Sequence, residues 1–109
     1  MNKASLGILG LCRRAGKLSM GHDMCKASLN AKKAKLCLIS SESSQRVREE
    51  FENLCRDKNV PFFTVPLSIN EIHSLIGYKA GIITVDDSGF ADSLIKKLQT
   101  ELTFGEESL

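Results

Sequence analysis

The sequence predicts an α/β fold, a three-layer α/β/α sandwich, and three observations predict it. Three short apolar runs and one short extended piece alternate with five stretches whose apolar residues recur at helical spacing. Glycine, proline or a polar capping residue stands at most of the boundaries. The length of 109 residues, with 42% hydrophobic and 26% charged side chains, suits one domain with a real core.

Each element has a local reason. From Lys3 to Ala15, Ala4, Ile8, Leu11 and Ala15 recur at helical spacing, widened by Leu9 and Cys12, and Gly16 stops the helix. Arg13 and Arg14 suit its negative dipole end. Lys17-Leu18-Ser19 is the extended piece. A second helix runs from Gly21 to Ala31, with Met24, Cys25, Ser28, Leu29 and Ala31 as its buried side. Lys35 to Ser40 contains Leu36-Cys37-Leu38-Ile39, the pattern of a strand covered on both faces. After a turn at Ser41–Ser44, Val47, Phe51, Leu54 and Cys55 mark a helix ending near Lys58-Asn59.

Pro61 to Val65 is the next strand, closed by Pro66. Ser68 and Glu71 form a capping box, opening a helix through Ile72, Leu75 and Ile76 to Gly77. Ala80 to Val85 is a further strand. Asp86-Asp87-Ser88-Gly89 turns into a last helix carrying Phe90, Leu94, Ile95 and Leu98, with both aspartates read as its acidic first turn. A single domain over residues 1–103 follows, with a frayed acidic tail at 104–109.

Charge is divided unevenly. Residues 1–36 carry eight basic side chains and one acid, a net of +7, while residues 37–109 carry seven and twelve, a net of −5. The overall +2 hides this split, which points to a polyanionic partner on one face or to a solvated basic surface. No apolar run approaches the roughly 20 residues of a membrane span, and the N-terminus lacks a signal-peptide core, so a cytoplasmic location is expected.

Enzyme signatures are missing: no phosphate-binding loop, no spaced glycine fingerprint and no Gly-x-Ser-x-Gly elbow. His22 and Cys25 stand at helical spacing, but Cys25 falls on the apolar face, which argues against a nucleophile pair. The cysteines at 12, 25, 37 and 55 are too far apart for a metal spacing with His22 or His73, and read as buried reduced thiols. No catalytic residue, metal or cofactor is therefore expected. Gly21 is different. A glycine opening a helix leaves N–H groups approachable by a phosphate, with His22 and Asp23 on the first turn and Lys26 one turn on. It can equally be a plain turn.

The string Leu9-Gly-Leu-Cys-Arg-Arg-Ala-Gly-Lys-Leu-Ser-Met-Gly21, then a helix and Lys33-Ala34-Lys35-Leu36-Cys37-Leu38-Ile39, is similar to a known pattern. With Asn59-Val60-Pro61, Leu75-Ile76-Gly77 and Asp87-Ser88-Gly89-Phe90-Ala91, it resembles the YlxQ-like bacterial branch of the kink-turn RNA-binding ribosomal protein superfamily, the L7Ae/L30e group. The resemblance implies a four-stranded mixed sheet, no catalysis, and binding of structured RNA. It implies that RNA is gripped at the start of the second helix by a Gly-x-Asn-Glu-x-x-Lys motif and covered by a loop after the fourth helix. In this sequence the Asn position falls on Asp23, the Glu position on Met24 and the Lys position on Ala27, with Lys26 adjacent. Ionised Asp23 offers only acceptors, where Asn would also donate.

The expected RNA-binding residues are Arg13, Arg14, Lys17, Gly21, His22, Asp23, Lys26, Tyr78 and Lys79. Lys17 to Lys26 form the contact edge, and Tyr78 and Lys79 close over it. The expected partner is structured ribosomal or non-coding RNA, with ribosome-associated proteins as further candidates and neither membrane nor small-molecule substrate. The alternative is a protein-interaction module of the same fold without specific RNA readout, which the Asp23-Met24 pair would suit.

Overall fold

Helices α1 (Lys3–Arg14), α2 (His22–Asn30), α3 (Gln45–Lys58), α4 (Ile69–Ile76) and α5 (Ser88–Thr100) alternate with strands β1 (Leu18–Met20), β2 (Leu36–Ser40), β3 (Phe62–Val65) and β4 (Ile82–Val85). The computed structural model describes residues 1–101, so the tail expected at 104–109 lies outside the described residues. The strands form one mixed sheet in the order β1-β4-β2-β3. β2 and β3 are parallel, while β4 runs antiparallel to both β1 and β2.

Alternation along β2 explains the layers. Leu36 and Leu38 join Leu9 and Cys12 of α1, Ile72 and Ile76 of α4, and Leu94 and Leu98 of α5 in one core. Cys37 and Ile39 point the other way, into a second core with Cys25 and Leu29 of α2 and Phe51 and Cys55 of α3. All five residues of β2 are buried, as a strand covered on both faces requires.

Two helices match the apolar spacing in part, burying Leu9 and Cys12 of α1 and Cys25, Ser28 and Leu29 of α2 as expected. α1 buries Ser5, Leu9 and Cys12, leaving Leu11 51% exposed and Ala4 and Ala15 on the outside. Ser5 is tolerated inside because its hydroxyl donates to Glu101 Oε1 at the end of α5. α2 buries Cys25, Ser28 and Leu29, while Met24 is 61% exposed and Ala31 lies outside. Strand β1 starts at Leu18 rather than Lys17, since Leu18 pairs with Val85 and Met20 with Ile83.

Asp86 also differs from expectation. Asp87 alone caps α5, its Oδ2 accepting from the Phe90 N–H at 2.9 Å. Asp86 turns inward and accepts from three hydroxyls: Ser19 Oγ (2.5 Å), Ser28 Oγ (2.7 Å) and Thr84 Oγ1 (3.0 Å). One carboxylate therefore ties β1, α2 and β4 together, and it accounts for the buried Ser28 on α2.

Asn2, Ser44 and Ser68 cap α1, α3 and α4 through their side chains, with the Ser68–Glu71 box formed as expected. α2 has no side-chain cap. Its far end turns through Lys32 at φ +61°, where a β-carbon costs roughly 1–2 kcal/mol relative to glycine.

Candidate functional site

α2 opens at Gly21, whose φ of +92° lies where side-chain-bearing residues are strained. The Gly21 N–H donates to Ile82 O at 3.0 Å, fixing the start of the helix to the first residue of β4. No side chain caps the first N–H groups of α2, the end at which the helix dipole favours an anion.

The loop after α4 reaches this point. α4 ends at Gly77, left-handed at φ +73°, and the turn it permits sends Tyr78 across the end of the sheet. The Tyr78 ring lies over Gly21: Cε1 and Oη are each 3.7 Å from where a Gly21 β-carbon would stand. Tyr78 nonetheless stays 49% exposed, so one part of the ring remains available to a ligand. Gly81 O anchors the far end of the loop, accepting from Ser40 N at 2.8 Å and Ser43 Oγ at 3.2 Å. At the near end, an Arg13 guanidinium nitrogen lies 3.8 Å from the β-carbon position of Gly77. Arg13 and Arg14 line a shallow groove between α1 and the end of α4.

The fold thus lays Tyr78 of the α4–β4 loop over Gly21 and sets Arg13, near the end of α1, beside the adjoining Gly77. Asp23, fully exposed, and Lys26 follow on α2, and Lys79 is exposed in the loop. Lys17 is not on this edge. It sits at the other end of β1, where its carbonyl accepts from Asp86 N at 2.8 Å. Four residues of extended chain place it about 13 Å from Gly21.

Pattern reading missed Glu50. From the second turn of α3 its carboxylate accepts from His22 Nε2 at 2.8 Å and stands 3.8 Å from Lys26 Nζ. The spacing of His22 and Lys26 shows that they share a helix face. Only the α2–α3 packing decides that the face meets Glu50. Hydrogen bonds to Glu50 first, and to Asp23 second, raise the His22 pKa above its ordinary 6.5. The same bond to His22 lowers Glu50 below 4.5, helped by the nearby Lys26 charge. The His22 ring also stands edge-on to Phe51, with centroids 5.2 Å apart at 89°. The start of α2 therefore carries opposed charges, Glu50 against His22 and Lys26 and Asp23 against His22.

Cys25 is fully buried, and its thiol donates to Ser19 O at 3.3 Å and Ile82 O at 3.5 Å. Burial pushes its pKa up to about 12, so the thiol stays protonated, and the His22 ring is engaged by Glu50 instead. All four cysteines are buried and unpaired. Among the described residues no cluster of three or more His, Cys, Asp or Glu side chains could hold a metal ion. No described helix is long and apolar enough to cross a membrane.

This fold and site can be set beside known proteins. The chain is 29% identical to the RNA-binding protein YlxQ of Enterococcus faecium over 87 residues, covering 80% of this chain and 84% of that one. It is 29% identical to the RNA-binding protein YlxQ of Bacillus subtilis (strain 168) over 96 residues, covering 84% and 91%. A solved structure of a Bacillus halodurans protein of unknown function superposes with a TM-score of 0.84 at 22% identity. It covers 90% of this chain and 99% of that one, and supports the fold alone. Residues 3–95 match the sequence pattern of the ribosomal protein L7Ae/L30e/S12e/Gadd45 family. With that match running through α1 to α5, the chain belongs to the ribosomal protein L7Ae/L30e/S12e/Gadd45 family, as a YlxQ-like member.

Proposed function

We propose that this protein is a non-catalytic RNA-binding protein of the cytoplasm that takes a structured, kink-turn-like RNA at the start of α2. The observation that carries the reading is the half-exposed Tyr78 ring resting on Gly21. It sets a stacking surface beside the uncapped N–H groups of α2, so a phosphate and an extruded base can be met within one site. Arg13, Arg14 and Lys79 supply charge around it, Lys26 adds a cation partly held by Glu50, and Asp23 presents acceptors to a base amino group. Family membership and two relatives named as RNA-binding proteins support RNA as the ligand class.

The test is a titration of the whole chain with a labelled kink-turn RNA and an unkinked duplex of equal length, at two salt concentrations. Preferential binding of the kinked RNA, reduced about tenfold by Tyr78→Ala and little by Tyr78→Phe, is the expected result. Equal weak binding to both RNAs, insensitive to Tyr78, would overturn it. That outcome would favour a protein-interaction module, the reading suited by Glu50's hold on His22 and Lys26 and by the exposed Met24.

A further inference from the structure

We infer that the far end of α2 is a second RNA-contact surface: a basic groove that takes the phosphate backbone of the stem continuing from the nucleotides at Gly21. The inference rests on the RNA-binding reading above and adds residues that lie outside that site. Lys32, Lys33 and Lys35 follow α2 on the turn into β2, where Lys35 N donates to Val85 O at the opposite end of β4 from Ile82. α3 ends alongside, with Lys58. Between the two turns lies a groove of about 560 Å³, lined by Leu29, Ala34 and Val60 and by Lys32, Lys35 and Lys58.

Charge separates this end from the other. Lys32, Lys33 and Lys35 are exposed and Lys58 is half-buried. Among the described residues, the only ion pairs within 4.0 Å join His22 to Asp23 and Glu50, Lys26 to Glu50, and Arg56 to Glu52, so none engages these four lysines. The opposing charges are Asp57, which lines the same groove, and the carbonyl ends of α2 and α3, about half a negative charge each. The three lysines that line the groove exceed these by about one charge, and Lys33, exposed on the same turn outside the lining, adds another. A positive concavity with apolar walls concentrates its field on an anion. Lys32 holds a cation at the left-handed position where glycine would be least strained.

The separation suits a continuous strand. α2 has nine residues and is about 14 Å long, a span that covers several successive phosphates of one duplex strand. Four cations without a carboxylate partner within 4.0 Å among the described residues, Lys35 Nζ donating only to Lys32 O at 3.4 Å, fit a repeating phosphate backbone better than one small anion. Loss of each phosphate contact should lower the slope of log affinity against log salt by about 0.9.

The experiment uses the whole chain and one kink-turn RNA with either a long or a shortened stem. Lys32→Gly is the first variant, because it removes a cation while relieving the left-handed strain, and it should raise the melting temperature. The combined Lys32→Gln, Lys33→Gln and Lys35→Gln protein is the second. Lys32→Gly should weaken long-stem binding a few-fold and lower the salt slope by about one, and the triple variant should lower it by about two to three. Neither should affect the short-stem RNA. Unchanged slopes in both variants, with binding still lost in Tyr78→Ala, would overturn the groove and leave the Gly21 site standing. Lost slope with Tyr78→Ala unaffected would retain the groove and overturn that site. Wild-type protein binding neither RNA would overturn both.

Discussion

Replacing Asp86 with alanine should be among the most damaging single changes to this fold outside the apolar cores. The carboxylate accepts from Ser19, Ser28 and Thr84 at 2.5, 2.7 and 3.0 Å. Ser19 is half-buried and can turn to water, but Thr84 is fully buried and Ser28 is 5% exposed. A buried hydroxyl left without a partner costs about 1–3 kcal/mol, so two of them predict a loss of about 3–4 kcal/mol for Asp86→Ala. For a domain this small that is about 15–25 °C in melting temperature. Asp86→Asn keeps an acceptor and should lose about 1–2 kcal/mol. Urea unfolding followed by circular dichroism measures both. The mechanism has its own control: adding Ser28→Ala and Thr84→Val to Asp86→Ala removes the orphaned hydroxyls and should recover more than half of the loss. A loss below about 1 kcal/mol for Asp86→Ala, or no recovery in the combined protein, would refute the argument.

Three further outcomes follow from the site. Glu50→Gln should unlink His22 and Lys26 and tighten RNA binding about two- to fivefold at low salt, read by titration. Its stability cost is at most about 0.5 kcal/mol, the pair being exposed. The sign with pH is set by both partners: the raised His22 contributes fully below 6.5 and fades as pH rises through its folded value, while the lowered Glu50 contributes above 4.5 and fades as pH falls through its own. The difference between wild type and Glu50→Gln in urea melts should therefore peak between pH 4.5 and 6.5. Gly21→Ala should destabilise by about 1–2 kcal/mol from the positive φ alone, since Tyr78 at 3.7 Å leaves room for a methyl. Cys25 should resist thiol reagents in folded protein at pH 8 and react on unfolding, its pKa of about 12 leaving almost no thiolate.

The type and order of the elements among the described residues were legible because each signal was local. The Ser68–Glu71 box, the glycine after α4 and the continuous apolar run of β2 need only neighbouring residues to act. The helix faces were less legible. Ser5 looks like a surface residue until Glu101 arrives from 96 positions away to satisfy it, whereas Ser28, expected on the buried side of α2, finds its partner Asp86 58 positions away. Packing leaves Leu11 and Met24 outside the faces on which their spacing put them. The candidate site shows the same division. Gly21 and Tyr78 stand out as a helix-opening glycine and the chain's sole tyrosine, but their contact depends on how α4 and β4 are joined.

By itself the sequence determined the α/β alternation, the capping and the concentration of basic residues in the first third of the chain, since propensity, periodicity and charge are carried by residues close together. Tertiary structure decided where those charges stand. Sheet pairing put Lys17 and Lys35 at one end of β4 and Gly21 at the other. Helix packing then set Glu50 against His22 and Lys26, because long-range contacts between elements, and not local pattern, choose which side chains share an end of the molecule.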